Sequence, residues 1–152
     1  MNNKLIYKAA EYQGELFKKS VSRFKCSSYY FMWRILTGKT IIFLDNDPTS
    51  FSTLNNEYVL DLLLNEYPSV NEKEGEKINL KVLYWIGFIY RFLCASYNYT
   101  SNYAFKMIKP TEMVELYNSL HTQSPEYAVD FIKNTYDNID KEFDALIRKM
   151  YL

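Results

Sequence analysis

One arginine lies within the most apolar stretch of the chain, and a charge in such a place is the first feature that could do chemistry. Residues 82–97 read VLYWIGFIYRFLCASY, and Arg91 is their only charge. A guanidinium in an apolar helix must pair with an acid or face a ligand. It is therefore either a structural arginine that reaches the surface and pairs with a carboxylate, or a group that receives an anion or faces a partner.

Four further residues complete the candidate set for binding a ligand or partner. On a helix Gly87 lies one turn before Arg91, which predicts a notch where a side chain or another backbone comes close. Tyr84 and Tyr90 share this helix, and His121 follows a later one. His121 alternatively caps the carbonyl end of its helix. No ligand cluster accompanies it, so we expect no metal and no cofactor.

Two short motifs resemble catalytic sequences but lack the rest of each pattern. Residues 37–40, TGKT, match the end of a phosphate-binding loop, yet Trp33 stands where that loop needs a glycine. Residues 41–49, IIFLDNDPT, resemble the nucleophile motif of haloacid-dehalogenase-type phosphatases, with Asp45 as nucleophile and Asp47 as acid or base. That family needs a parallel sheet, whereas helices follow here. We interpret the two acids as parts of a turn and expect no catalytic residue.

Charge and composition disfavour several classes of protein. The 152 residues carry 18 basic and 18 acidic side chains, so a broad basic field for nucleic acid is absent. The two cysteines, Cys26 and Cys94, show neither metal-ligand spacing nor a secreted disulfide pattern. The first residues contain no apolar leader, and residues 82–97 are shorter than the roughly 20 residues of a membrane span. We expect a cytoplasmic protein with no membrane partner.

Helical periodicity dominates the chain and predicts an all-α fold. Apolar residues recur at helical spacing over residues 3–25, 29–36, 55–67, 79–97, 100–108, 111–120 and 124–150. Thr100 and Ser124 are the expected N-caps of the helices that begin there. The helix at 79–97 is apolar on every side, so we expect it at the buried centre of a single-domain bundle covering residues 1–152. Residues 40–44 read as the one short strand, and residues 71–77 as an exposed loop or internal boundary.

Two of these helices have faces that could contact a partner. The first helix has a basic solvent face, formed by Lys18, Lys19, Arg23 and Lys25. The last predicted helix has an apolar stripe, whose candidate partner-contacting residues are Ile132, Tyr136, Ile139 and Phe143. The default use of such a stripe is packing on the central helix, and docking to another chain is the alternative.

Two stretches of the chain resemble a group of small bacterial proteins. They are residues 84–92, YWIGFIYRF, and residues 120–128, where LHT precedes Pro125, Glu126 and Ala128. They are similar to the Y-W-x-G-Y-x-Y-R and H-T-x-x-P-x-x-A-I segments of uncharacterised Firmicutes proteins encoded beside ADP-ribosyltransferase-like toxins. The resemblance covers about residues 82–132 and implies an antitoxin or accessory partner. It assigns no catalytic residue, and Phe88 replaces an expected tyrosine.

Three functions are open at this point. The first is a non-catalytic interaction protein, which fits the balanced charge and the 15 tyrosines and 10 phenylalanines. The second is a small enzyme or a nucleotide- or ADP-ribose-binding protein, which requires Arg91, Tyr84, Tyr90 and His121 to meet in one cavity. The third is nucleic-acid binding through the basic first helix, which requires its cations on one exposed face.

Overall fold

A computed structural model describes the backbone of every residue except 1, 52, 138 and 152. It also describes the side chains of the remainder except residues 51, 139–141, 143 and 144. The described part contains one 3-10 turn (Pro68–Asn71), no strand, and ten α-helices. These helices are α1 (Asn3–Arg23), α2 (Ser28–Thr37), α3 (Ile42–Asn46), α4 (Pro48–Phe51), α5 (Asn56–Glu66), α6 (Leu80–Tyr97), α7 (Ser101–Met107), α8 (Pro110–Leu120), α9 (Pro125–Tyr136) and α10 (Ile139–Tyr151). The all-α prediction is confirmed.

The long helices α1 and α6 form the centre of the bundle, as predicted for residues 79–97. A glycine on each helix lets the other come close. A Cβ on Gly87 would lie 2.7 Å from both the carbonyl oxygen of Gln13 and the ring of Phe17. A Cβ on Gly14 would lie 2.8 Å from the ring of Tyr84. The predicted notch at Gly87 therefore exists, and the backbone and side chains of α1 fill it.

Local capping signals set the ends of the central and later helices. Asn98 ends α6 in the left-handed conformation, with φ of 55°, which asparagine tolerates better than most residues. Thr100 caps α7 by accepting a hydrogen bond from the N–H of Tyr103. Ser124 caps α9 in the same way, as the sequence predicts. None of the described helices combines the length and the apolarity needed to cross a membrane.

The short strand predicted at residues 40–44 is wrong. Residues 40 and 41 form a turn, and Ile42–Asn46 is helical. The carboxylate of Glu66 accepts hydrogen bonds from the backbone N–H groups of Lys39 and Thr40 and, at 2.8 Å, from the Thr40 hydroxyl. This acid lies more than twenty residues downstream, so the local pattern could not reveal it. It also occupies the N–H groups that a phosphate-binding loop would offer to its ligand.

The single helix predicted at residues 124–150 is also wrong, because α9 ends at Tyr136 and α10 begins at Ile139. The side chain of Asp137 accepts hydrogen bonds from the hydroxyls of Tyr99 and Tyr103, the latter at 2.8 Å. Burial, reinforced by this carboxylate, raises the pKa of Tyr99. These bonds hold the end of α9 against the corner between α6 and α7.

The segment at residues 71–77 is largely exposed, as predicted, and it is tied to the junction of α1 and α2. Gly75 donates its N–H to the carbonyl of Lys25 at 3.1 Å, and Glu76 accepts from the N–H of Ser28 at 3.0 Å. The ammonium group of Lys77 donates to backbone carbonyls of the same junction. The loop is therefore fastened along most of its length by backbone contacts.

Candidate functional site

Arg91 is buried in the bundle, and each of its three nitrogens donates to a different side chain. Its exposed fraction is only 1%. Nε donates to Gln13 Oε1 at 3.0 Å, and Nη2 donates to Ser101 Oγ at 3.0 Å. Nη1 pairs with Asp45 Oδ1 at 2.8 Å. The expectation that this guanidinium reaches the surface is wrong, whereas its pairing with a carboxylate is confirmed.

The partners of Arg91 are themselves held in place. Ser101 donates its backbone N–H to Asp45 Oδ2 at 2.9 Å and its hydroxyl to Asp45 Oδ1 at 2.6 Å. The side-chain amide of Gln13 donates to the carbonyl of Gly87 at 3.0 Å. We call Gln13, Asp45, Arg91 and Ser101 the buried network. It joins α1, α3, α6 and α7, and it satisfies the charge that first suggested a ligand site.

The two acids that resemble a phosphatase motif each have a structural partner. Asp45 belongs to α3 and to the buried network, so the turn predicted to begin there starts only at Asp47. Asp47 accepts a hydrogen bond from the N–H of Ser50 at 3.1 Å, and this bond lowers the pKa of its carboxyl. Asp47 therefore caps the short helix α4. A pocket of about 360 Å³ reaches the outer side of the network, but the ion pair of Arg91 with Asp45 makes its floor electrically neutral.

Tyr90 is likewise committed within the chain. It is completely buried, and its hydroxyl donates to the carbonyl of Ile108 at 2.6 Å. Burial raises the pKa of Tyr90 well above its ordinary value. With Gly87 covered by α1, three of the five candidate residues on the predicted list lie inside the fold and hold it together.

The remaining two candidates, Tyr84 and His121, meet in a separate surface pocket. Its volume is about 230 Å³, and we call it the aromatic pocket. The residues that line it are Tyr84, Trp85, Phe88, Ile89, His121, Gln123 and Pro125. Arg91 and Tyr90 do not line it, so the prediction that all four side chains meet in one cavity is wrong. The four-residue step from Tyr84 to Phe88 and from Trp85 to Ile89 could have indicated this face in advance.

Ring contacts hold the walls of the aromatic pocket in position. Trp85 meets Tyr117 edge to face, with ring centres 5.6 Å apart, and Tyr117 stacks on His121 at 4.2 Å. Nδ1 of His121 lies 2.7 Å from the carbonyl oxygen of Tyr117. A carbonyl only accepts, so Nδ1 carries the hydrogen and Nε2 is the acceptor of the neutral ring. The predicted capping role of His121 is confirmed, and the same ring lines the pocket.

The apolar stripe predicted for the last helix divides into two parts. Ile132 is completely buried in α9 and Tyr136 packs half-buried on the core, so both follow the default use of the stripe. Ile139 and Phe143 belong to α10, but their side chains lie outside the described residues. Every α10 side chain that the structure describes is exposed, including Leu146.

The basic face of the first helix is less uniform than the sequence predicts. Lys18 and Lys19 are exposed on α1, whereas Lys25 lies beyond its end. Arg23 is partly buried and forms ion pairs with Glu57 and Asp61 of α5. These two acids reduce the positive potential on this side of the molecule, and with it the attraction for a nucleic-acid backbone.

Two further observations concern metal binding and thiol chemistry in the described residues. They contain no group of histidine, cysteine or acidic side chains that could hold a metal ion. Cys26 and Cys94 are buried, and burial raises the pKa of the Cys94 thiol to about 12, so a thiolate nucleophile is disfavoured there.

No protein-family model matches the chain, and no curated protein or solved structure is significantly similar to it.

Proposed function

We propose that this chain is a non-catalytic, cytoplasmic binding protein that acts as the antitoxin or accessory partner of an ADP-ribosyltransferase-like toxin. One observation carries the proposal. Tyr84, Trp85 and Phe88 come from the first stretch of the bacterial resemblance, and His121 and Pro125 come from the second. Side chains of both stretches line the aromatic pocket. Of the residues in these two stretches, only Arg91 belongs to the buried network. A shared contact surface accounts for the occurrence of both stretches in one chain.

The size and lining of the aromatic pocket favour a protein side chain as its occupant. Its volume of about 230 Å³ lies below the roughly 300–1,000 Å³ that is usual for small-molecule sites. Its walls are mainly apolar rings, Nε2 of His121 adds a hydrogen-bond acceptor, and the side-chain amide of Gln123 adds a second polar group. A tryptophan or tyrosine of the toxin fits this chemistry, because each combines an apolar ring with one N–H or O–H donor.

Both alternatives have less support. An enzyme or an ADP-ribose-binding protein would need the guanidinium of Arg91 to face its ligand, and that group is buried and paired. Nucleic-acid binding would need a free basic face on α1, and Arg23 is neutralised by two acids. Each alternative has its own signature, which is saturable nucleotide binding for the first and steeply salt-dependent binding for the second.

Identification of an ADP-ribosyltransferase-like toxin gene beside the gene of this chain, followed by co-expression of the two, tests the proposal. We expect the wild type to co-purify with the toxin and to restore growth. Trp85→Ala and His121→Ala should weaken the complex by about 30-fold, as is usual for an aromatic anchor site. The matched control is Tyr127→Ala, which removes an exposed ring of α9 outside the pocket.

Two outcomes count against the proposal at different levels. If the wild type neither co-purifies with the toxin nor relieves its toxicity, the antitoxin function is wrong. If Tyr127→Ala and His121→Ala weaken the complex equally, the aromatic pocket is not the contact surface. Because Trp85 is partly buried, a thermal melt of each variant separates lost binding from lost folding, and the exposed His121 provides the variant least able to disturb the core.

A further inference from the structure

The helix α10 presents an apolar face that the rest of the described chain leaves uncovered. Leu146 is 52% exposed and Met150 is 61% exposed, and Ile147 and Tyr151 are also exposed. Such a face on an amphipathic helix is typical of a surface that another helix covers. The charges along α10 indicate which helix this is.

The apolar residues of α10 follow the spacing of a coiled-coil seam. Ile139, Phe143, Leu146 and Met150 succeed one another at steps of four, three and four residues. In heptad notation they occupy positions d, a, d and a. Glu142 and Lys149 then both occupy g positions, which border the seam, and both side chains are exposed.

We propose that α10 pairs antiparallel with α10 of a second copy of this chain. An antiparallel pair brings each a position level with a d position of the other helix, so Phe143 shares a layer with Leu146 of the second copy. The g positions of the two helices then lie side by side. Glu142 is therefore adjacent to Lys149 of the second copy, and the two-fold axis repeats this pair on the other side.

The distribution of charge favours this orientation over a parallel one. The first half of α10 contains three acids, Asp140, Glu142 and Asp144, and one base, Lys141, whereas the second half contains two bases, Arg148 and Lys149, and no acid. An antiparallel pair places the acidic half of one helix beside the basic half of the other. A parallel pair places like halves together, and it brings Glu142 near Ile147, with which it forms no ion pair.

The expected dimer is weak, since α10 contains only two heptads. A pair of this length buries less than the roughly 1,200 Å² of a stable interface. We therefore expect dissociation at about 10–100 µM. The dimer uses a surface different from the aromatic pocket, so it goes beyond the proposed function and does not depend on it.

Sedimentation analysis of the full chain, from about 5 µM to about 500 µM, tests the proposal across the expected dissociation range. We expect the wild type to change from monomer to dimer. Glu142→Lys and Lys149→Glu should each weaken the dimer by about tenfold, because each places two like charges side by side. The combined Glu142→Lys/Lys149→Glu variant should regain the wild-type constant. Lys19→Glu, which reverses an exposed charge on α1 and leaves α10 unchanged, is the control.

Three results would overturn the proposal. They are a wild type that stays monomeric at every concentration, a dimer that survives Leu146→Asp, and a combined charge-reversal variant that fails to recover. Oxidation of cysteine variants tests the orientation independently, because Glu142→Cys/Lys149→Cys should form a covalent dimer only if the helices are antiparallel. Met150→Cys alone should form one only if they are parallel, because an antiparallel pair places the two Met150 positions at opposite ends of the seam. Glu142→Lys should still bind the toxin, so failure of the dimer and failure of the proposed function are distinguishable.

Discussion

The buried network around Arg91 and the surface of α10 use charged side chains in opposite ways. In the network an arginine and an aspartate are almost completely buried, and each polar atom of Arg91 has a partner from another helix. In α10 the described charged side chains are exposed, and two of them, Glu142 and Lys149, border an apolar face. The polar groups of the buried network bind to one another within one chain, whereas the side chains of α10 are available for contact with another molecule.

This difference shows that a buried charge and an exposed apolar face are not equally useful for locating a binding site in this protein. A charge in an apolar helix is conspicuous in the sequence, yet burial forces it to find partners inside the fold, and it is then no longer available to a ligand. An ordinary amphipathic helix is inconspicuous, yet its exposed apolar face is available. For the same reason the aromatic pocket, which needs no buried charge, is the better candidate site.

The largest expected effect tests whether the buried network holds the fold together. Arg91→Met leaves the carboxylate of Asp45 without its cation, although that side chain is only 8% exposed. We expect the free energy of unfolding, measured by urea titration, to fall by about 3–5 kcal/mol. Arg148→Met on α10 is the control and should change it by less than about 0.5 kcal/mol. If both variants lost the same free energy of unfolding, the buried network would stabilise the fold no more than the surface of α10 does.

The second prediction concerns the close approach of α1 and α6. Gly87→Ala should lower the free energy of unfolding by about 1–3 kcal/mol, because its methyl group meets the backbone carbonyl of Gln13, which cannot move aside. Gly14→Ala should cost less, since the ring of Tyr84 can rotate away and alanine favours the helix. Thermal melts of the two variants make the comparison. A larger loss for Gly14→Ala would mean that the side chains, and not the backbone, set the distance between the helices.

The third prediction uses the buried thiol of Cys94. Burial raises its pKa from 9.0 to about 12, so in the folded protein it stays neutral while in the unfolded chain it ionises above about pH 9. The free energy of unfolding should therefore fall as pH rises from 9 towards 12, by about 1 kcal/mol per pH unit from this group. Cys94→Ala should show a shallower decline in urea titrations at several pH values. Identical slopes would show that this thiol is accessible to water in the native state.

The smallest expected effect lies in α10. Leu146→Ala should change the free energy of unfolding by less than about 0.5 kcal/mol when measured below the dimer concentration, because that side chain is more than half exposed. Leu93→Ala makes the same substitution in the core of α6 and should cost about 2–5 kcal/mol. A large loss at Leu146 in dilute solution would show that α10 packs on its own chain.

Much of the fold could be predicted because it depends on neighbours in sequence. Helical spacing of apolar residues located α1 and α6 to within about two residues, which is the usual uncertainty of helix ends. Thr100 and Ser124 were identified as caps because a capping side chain bonds to an N–H only three residues away. At these positions residues that are close in sequence determine the local structure.

The errors occur where distant residues decide the local structure. Glu66 turns the chain at residues 39–40 into the start of α3, and the hydroxyls of Tyr99 and Tyr103 hold Asp137 where one long helix was expected. The site was only partly predictable for the same reason. Tyr84 and His121 were correctly chosen as neighbours, but the acid that neutralises Arg91 lies 46 positions away, and no local spacing pointed to it.

The buried network also has a consequence for the order of events during folding. Gln13 and Asp45 are far along the chain from Arg91 and Ser101, so the charges of Arg91 and Asp45 can leave water only after α1, α3, α6 and α7 have assembled. We expect φ-values near zero for substitutions at Ser101 and values well above zero where α1 packs on α6. The ion pair would then act after the folding nucleus, by slowing the unfolding of a bundle that has already formed.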